Sequence, residues 1–290
     1  MRRVMACVAV MLMLCVLGGC WGSGSPGADD LEQARDAFSK GFYLEAEKGY
    51  ERYLQIEPQG TYRKEAWERL SEICISIKGD LDKAVVLLEA MYLELGTDPD
   101  EAWEIMNKLG QVYTQMGNPS KALESYEKAI THTAGNPDRM FRAQMRMAEL
   151  YRATGNYDLV IATLVNCAEI APDNDAKARC LYKLAQSYSF ISSWGQCKRS
   201  IDKLLELEGV SSETKALAIF LLADYYENER DYAKTRELLE SISTTYPNPK
   251  VVEARLANLP VLPDKPEEPV PPANMPDPPA QDPEPAGEGI

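Results

Sequence analysis

Apolar residues recur along most of the chain at helical spacing, and one arrangement of large, small and aromatic positions returns about every 38 residues. Leu109, Met147, Leu184 and Leu222 each stand four residues before a tyrosine: Tyr113, Tyr151, Tyr188 and Tyr226. Four residues is close to one helical turn, so each pair shares a face. Small residues sit one position beyond the large one, as in Gly110, Ala148, Ala185 and Ala223, with Ala34 in an earlier unit. A second small set follows after each turn: Ala46, Ala84, Ala122, Val160, Cys197 and Thr235. Small side chains at both places predict helices that approach closely in pairs. Glycines at 41, 79, 117 and 155 mark the turns within pairs, with landmarks at 192 and 230 continuing the series. Pro58, Pro172 and Pro247 fall where second helices must end. The unit around Gly79–Ala84 is irregular, although Leu88 and Met91 continue its second helix.

The pattern predicts an all-α body of about six helix-turn-helix repeats over residues 29–259, closed by the short amphipathic stretch Val251–Leu259. No single unit buries its own apolar face, so stacking of neighbours supplies the core. The segment LGQVYTQMGNPSKALESYEKA, Leu109 to Ala129, resembles the tetratricopeptide repeat. That family has a period of 34, so the extra residues here are expected to lengthen helices or the loops at Gly96–Pro99 and Gly135–Asp138. The resemblance implies a superhelix (an α-solenoid) whose concave face, built from first helices, binds a peptide. Carried onto this chain, the contact rows are Asn107, Gln111 and Gln115 in repeat three, and Arg142, Arg146, Glu149 and Arg152 in repeat four. Repeat five gives Arg179, Lys183 and Gln186, and repeat six Leu217, Phe220, Leu221 and Asp224. The peptide-binding candidates are therefore Asn107, Gln111, Arg142, Arg146, Arg152, Arg179, Lys183 and Gln186. Guanidinium, ammonium and amide groups suit a partner's carboxylates and extended backbone.

The N-terminus follows different rules. Arg2 and Arg3 precede a 14-residue apolar run, Val4–Leu17, which is too short for an ordinary membrane span and fits a leader. Leu17-Gly18-Gly19-Cys20 then resembles the bacterial lipobox. The resemblance implies removal of residues 1–19, lipidation of Cys20, a flexible tether over 20–28 and a periplasmic body. Trp21 stands where an aspartate would signal inner-membrane retention, so the expected location is the outer membrane. Repeat one, FSKGFYLEAEKGYERYLQIEPQGTYRKEA, resembles the lipoprotein of the outer-membrane barrel assembly machine. That implies a scaffold for another envelope protein in outer-membrane protein assembly. Secretin pilotins, and regulators of peptidoglycan-synthesis enzymes, share the same plan and are the alternatives.

Composition narrows the chemistry. The 290 residues carry a net charge of −14, which disfavours nucleic acid as a partner. His132 is the sole histidine, and no phosphate loop, nucleophile elbow or metal-ligand spacing occurs, so neither an enzyme, a cofactor, a metal site nor a small-molecule substrate is expected. Cys7 and Cys15 leave with the leader. Cys74, Cys167, Cys180 and Cys197 fit no zinc spacing; they read as small buried residues, with a bridge between Cys167 and Cys180 open because stacking sets those two positions side by side. Eleven of the 19 prolines and seven acids against one lysine fall in 260–290. That composition predicts a disordered tail serving as solubiliser, spacer or docking ligand.

Overall fold

The computed structural model describes residues 27–260. The leader at 1–19, Cys20 and residues 261–290 of the tail lie outside them. Thirteen α-helices and no strand make up the described residues. They run as α1 (Ala28–Ser39), α2 (Tyr43–Ile56), α3 (Arg63–Glu72), α4 (Leu81–Leu95), α5 (Pro99–Gln115), α6 (Pro119–Thr131) and α7 (Pro137–Ala153). There follow α8 (Tyr157–Ile170), α9 (Asn174–Phe190), α10 (Trp194–Leu205), α11 (Ser212–Asn228), α12 (Tyr232–Ser241) and α13 (Pro249–Asn258). Consecutive helices pair into six antiparallel hairpins, α1/α2 through α11/α12, and α13 adds a seventh first helix. None of the described helices is long and apolar enough to cross a membrane.

The close-approach positions explain the pairing. Ala46, Ala84, Ala122, Val160, Cys197 and Thr235 are all buried, as are Ala34, Ala148, Ala185 and Ala223. Gly110 is the tightest case: a Cβ there would lie 2.6 Å from the ring of Tyr126, which packs flat against the α5 backbone. Leu109, Met147, Leu184 and Leu222 fill the seam as expected, and so does Tyr113. Tyr151, Tyr188 and Tyr226 are only half-buried, because their phenol ends reach solvent at the helix ends. Core clusters overlap along the stack: one around Trp103, Leu109 and Tyr126 joins repeats two to four, and another around Phe141, Ile201 and Leu204 joins four to six.

Each hairpin turn closes in the same way. One residue enters the left-handed region: Gly41 (φ 77), Gly79 (φ 65), Gly117 (φ 69), Gly155 (φ 75), Ser192 (φ 57) and Arg230 (φ 62). The next amide then donates to a carbonyl five residues back, as from Asn118 to Tyr113 (2.9 Å), Ser193 to Tyr188 (2.8 Å) and Asp231 to Tyr226 (2.8 Å). Repeat two departs from this by one residue. There the Asp80 amide donates to Cys74, six back, at 2.9 Å, and the end of the first helix widens into a π-helical segment over Ile73–Lys78. A single inserted residue, absorbed by a wider turn, is the physical source of the irregular sequence.

The stretches expected as longer loops are helix starts instead. Asp98 and Asn136 cap α5 and α7 by accepting backbone N–H bonds, and Pro99 and Pro137 are the first helical residues. The added length lies in the first helices: α5, α7, α9 and α11 each have 17 residues. The C-terminal cap starts slightly earlier than expected, at Pro249, and buries Val252 and Leu259 against repeat six. Of the four body cysteines, Cys167 and Cys180 form a disulfide joining α8 to α9, with Cα atoms 5.9 Å apart. Cys74 and Cys197 are free and buried, and burial pushes the Cys197 thiol up to about 12, so it stays protonated and unreactive.

Candidate peptide-binding groove

First helices lie side by side along one face, and shallow clefts open where their exposed rows meet. Between α3 and α5 a cleft of about 450 Å³ is bordered by Arg69, Glu72, Lys108, Gln111 and Gln115. Between α5 and α7 a second, of about 280 Å³, is bordered by Gln111, Gln115, Arg146 and Glu149 over a floor of Tyr126 and Leu150. Between α7 and α9 the face narrows to a slot of about 10 Å³, where Arg152, Lys183 and Gln186 surround Met145 above Val160 and Leu164. Gln111 and Glu149 each belong to two neighbouring openings, so the three form a continuous track.

The predicted site residues divide into two groups. Gln111 and Arg146 meet in the middle cleft, and Arg152, Lys183 and Gln186 meet in the slot. Gln186 is oriented by donating from Nε2 to the Tyr182 hydroxyl at 3.0 Å. Burial raises the Tyr182 phenol, which keeps it protonated. Arg146 also makes a long contact of 3.4 Å with Glu149, solvent-exposed and therefore weak.

Arg142 and Arg179 serve a different purpose. The Arg142 guanidinium lies 5.1 Å from the ring of Trp103, beside Arg139 at 5.0 Å, and pairs with Asp138 at 2.6 Å. Arg179 lies 5.1 Å from the ring of Phe141. Residues 103, 141 and 179 occupy the same register, 38 apart, so each cation covers the buried aromatic of the preceding first helix. These arginines brace the junctions between repeats and border none of the three openings. Asn107 is half-buried one turn before Gln111 and likewise borders none. In repeat six, Phe220 stacks on Tyr246 (4.6 Å) and lies under the Arg255 guanidinium of α13 (4.7 Å), while Asp224 pairs with Arg255 at 2.6 Å. Its contact row is therefore covered by the cap.

Sequence reasoning missed Arg69 and Lys108, the basic border of the first cleft. The row position of Lys108 was readable from repeat three, but its neighbour Arg69 lies in the repeat whose register the π-helical segment shifts. His132, at the C-terminal end of α6, lies with Nε2 3.2 Å from the Tyr92 hydroxyl, on the far side from this track.

Family models of the tetratricopeptide repeat match residues 104–131, 141–174 and 217–249, which fall in repeats three, four and six. Among solved structures, the C-terminal part of a tetratricopeptide-repeat protein from Cytophaga hutchinsonii is 19% identical, with a TM-score of 0.63 over 81% of this chain and 89% of that one. BtubC from P. vanneervenii is 16% identical, with a TM-score of 0.52 over 82% and 92%. PilF of Pseudomonas aeruginosa is 10% identical, with a TM-score of 0.49 over 80% and 96%. At such identities the likeness is one of fold. No curated protein matches this chain. The body is thus a tetratricopeptide-type solenoid, an architecture typical of protein–protein scaffolds.

Proposed function

We propose that this chain is a lipid-anchored periplasmic scaffold, held at the outer membrane through Cys20, whose first-helix face grips an extended acidic segment of another envelope protein during outer-membrane protein assembly. The track from α5 to α9 carries this reading: amides and cations border it over an apolar floor, in a chain of net charge −14. Such a lining matches the carboxylates and unpaired backbone groups of an extended peptide. The basic–apolar–lipobox order of residues 2–20 supports the anchor. The Cys167–Cys180 bridge fits an oxidising compartment.

The test replaces Gln111 and Gln186, in turn, with a photo-crosslinking residue in living cells and identifies the captured protein by mass. Arg146→Glu combined with Arg152→Glu should cut capture by about tenfold or more, equivalent to roughly 1.4 kcal/mol. The far-ultraviolet circular dichroism should stay unchanged, since both side chains are exposed. Wild-type capture by the double variant would place binding elsewhere. Separately, Cys20→Ser should move the protein from membranes to the soluble periplasm, and membrane retention would refute the anchor.

A further inference from the structure

We propose that the chain's own C-terminal segment, residues 261–290, occupies the track between α7 and α9 until a partner segment displaces it. The proposal rests on the track being a peptide site and names its resident ligand. Four observations converge on it.

The first is where the body ends. Arg255 of α13 stands 38 residues after Leu217 and 76 after Arg179, so α13 continues the row of first helices. Its guanidinium donates to Glu227 at 2.6 Å and covers the Phe220 ring, and Leu259 is buried at 6% exposure. The exit of the chain is thereby fixed at the end of the row that carries the clefts. The second is reach. Neighbouring helix axes lie about 8–10 Å apart, so α13 to α7 is three steps, roughly 30 Å. A proline-rich chain spans about 3.1 Å per residue, so about ten of the 30 residues cover that distance.

The third is charge. Residues 261–290 contain seven acids and one lysine. On α7 and α9, Arg152, Arg179 and Lys183 have no carboxylate within ion-pair distance among the described residues, whereas Arg142 and Arg146 are paired. The carboxylates of the intervening helix α11, Asp224 and Glu227, are already held by Arg255, so the path across repeat six is not acidic in effect. The fourth is selectivity. The larger groove between α8 and α10, about 530 Å³, carries Lys177 and Lys203 balanced by Glu169 and Glu206, and so offers an acidic segment no net attraction. Tethering strengthens the effect, because an attached segment is present at an effective concentration of the order of millimolar. A weak contact is then mostly closed.

Carbodiimide crosslinking of the full mature chain, at high dilution and low salt, tests this. Lys183 should join to Glu267, Glu268, Asp277, Asp282 or Glu284 within the monomer band. The yield should fall about tenfold or more at ~0.5 M salt, and likewise when those acids become amides. The amidated variant should also bind an added acidic peptide several-fold more tightly. Lys183 joined to the tail only in a dimer band would assign the track to a second copy and overturn the proposal. Tail acids joined to exposed Lys48, Lys203 and Lys215 as readily as to Lys183 would overturn it too. If Lys183 forms no tail crosslink while Arg146→Glu with Arg152→Glu still abolishes partner capture, the self-docking falls and the track's role in binding a partner stands.

Discussion

Lys83 of α4 places its Nζ 2.5 Å from the Glu47 carboxylate of α2, a side chain only 5% exposed. Lys78, at the end of the π-helical segment, approaches the same carboxylate at 3.0 Å, and Lys83 also reaches Glu51 at 2.7 Å. The cluster ties repeat one to repeat two through charge where the rest of the stack uses apolar contact. Burial pushes the Glu47 carboxyl up, but the hydrogen bonds from Lys83 and Lys78 outweigh it and hold the group below its ordinary range. The same bonds raise Lys83.

That cluster gives a pH dependence with a definite sign. A depressed Glu47 contributes stability that is complete above the unfolded carboxyl value of about 4.3 and lost as pH falls through the folded value. A raised Lys83 contributes stability that is complete below about 10.4 and lost as pH rises through its folded value. Between those limits Glu47→Gln should cost about 1–2 kcal/mol, less than a wholly buried pair because both lysines are partly solvated. Thermal melts of both proteins at pH 7 and pH 3.5 check this, and the difference should shrink at the lower pH.

Two turn positions are filled by residues that resist their own backbone. Ser192 and Arg230 hold the left-handed conformation that glycine takes in four of the equivalent turns. Ser192→Gly and Arg230→Gly should each stabilise the fold by about 0.5–1 kcal/mol, because the relief of roughly 1–2 kcal/mol is partly offset by glycine's larger unfolded entropy. Chemical denaturation decides it, and a loss of stability from either change would contradict the turn geometry.

Much of this architecture was legible in the sequence because its causes are local. The spacing of Leu109, Tyr113, Gly117 and Ala122 encodes a helix, its end and its close partner within 14 residues. What escaped was non-local or one residue out of phase. The π-helical segment before Gly79 hides the repeat-two rows, and with them Arg69. The aromatic roles of Arg142 and Arg179 depend on Trp103 and Phe141 one repeat away. Sequence position placed both arginines on the binding rows, but it could not show that their guanidinium faces lie against those rings.

Gly110 should tolerate no side chain. Its missing Cβ makes room for the Tyr126 ring, so Gly110→Ala should cost about 1–3 kcal/mol, more than its better helix propensity returns. Gly110→Ala combined with Tyr126→Leu should recover part of the loss. A neutral single change would show that the ring moves aside freely.

Thiol titration of the unfolded, unreduced Cys20→Ser body should find two reactive groups, Cys74 and Cys197. Reduction should then lower stability by about 3 kcal/mol, the loop-entropy value for a bridge of 13-residue separation. Four groups before reduction would deny the bridge.

The bridge has a mechanical meaning as well. A stack of hairpins held by neighbour contacts behaves as springs in series, each junction yielding in proportion to its own softness. Between α8 and α9 a covalent bond replaces that softness. Under tension from its two ends the molecule would therefore extend as two separate springs, the four repeats before the bond and the two after it. The load at their junction would pass through sulfur atoms, while the packing beside them stayed slack.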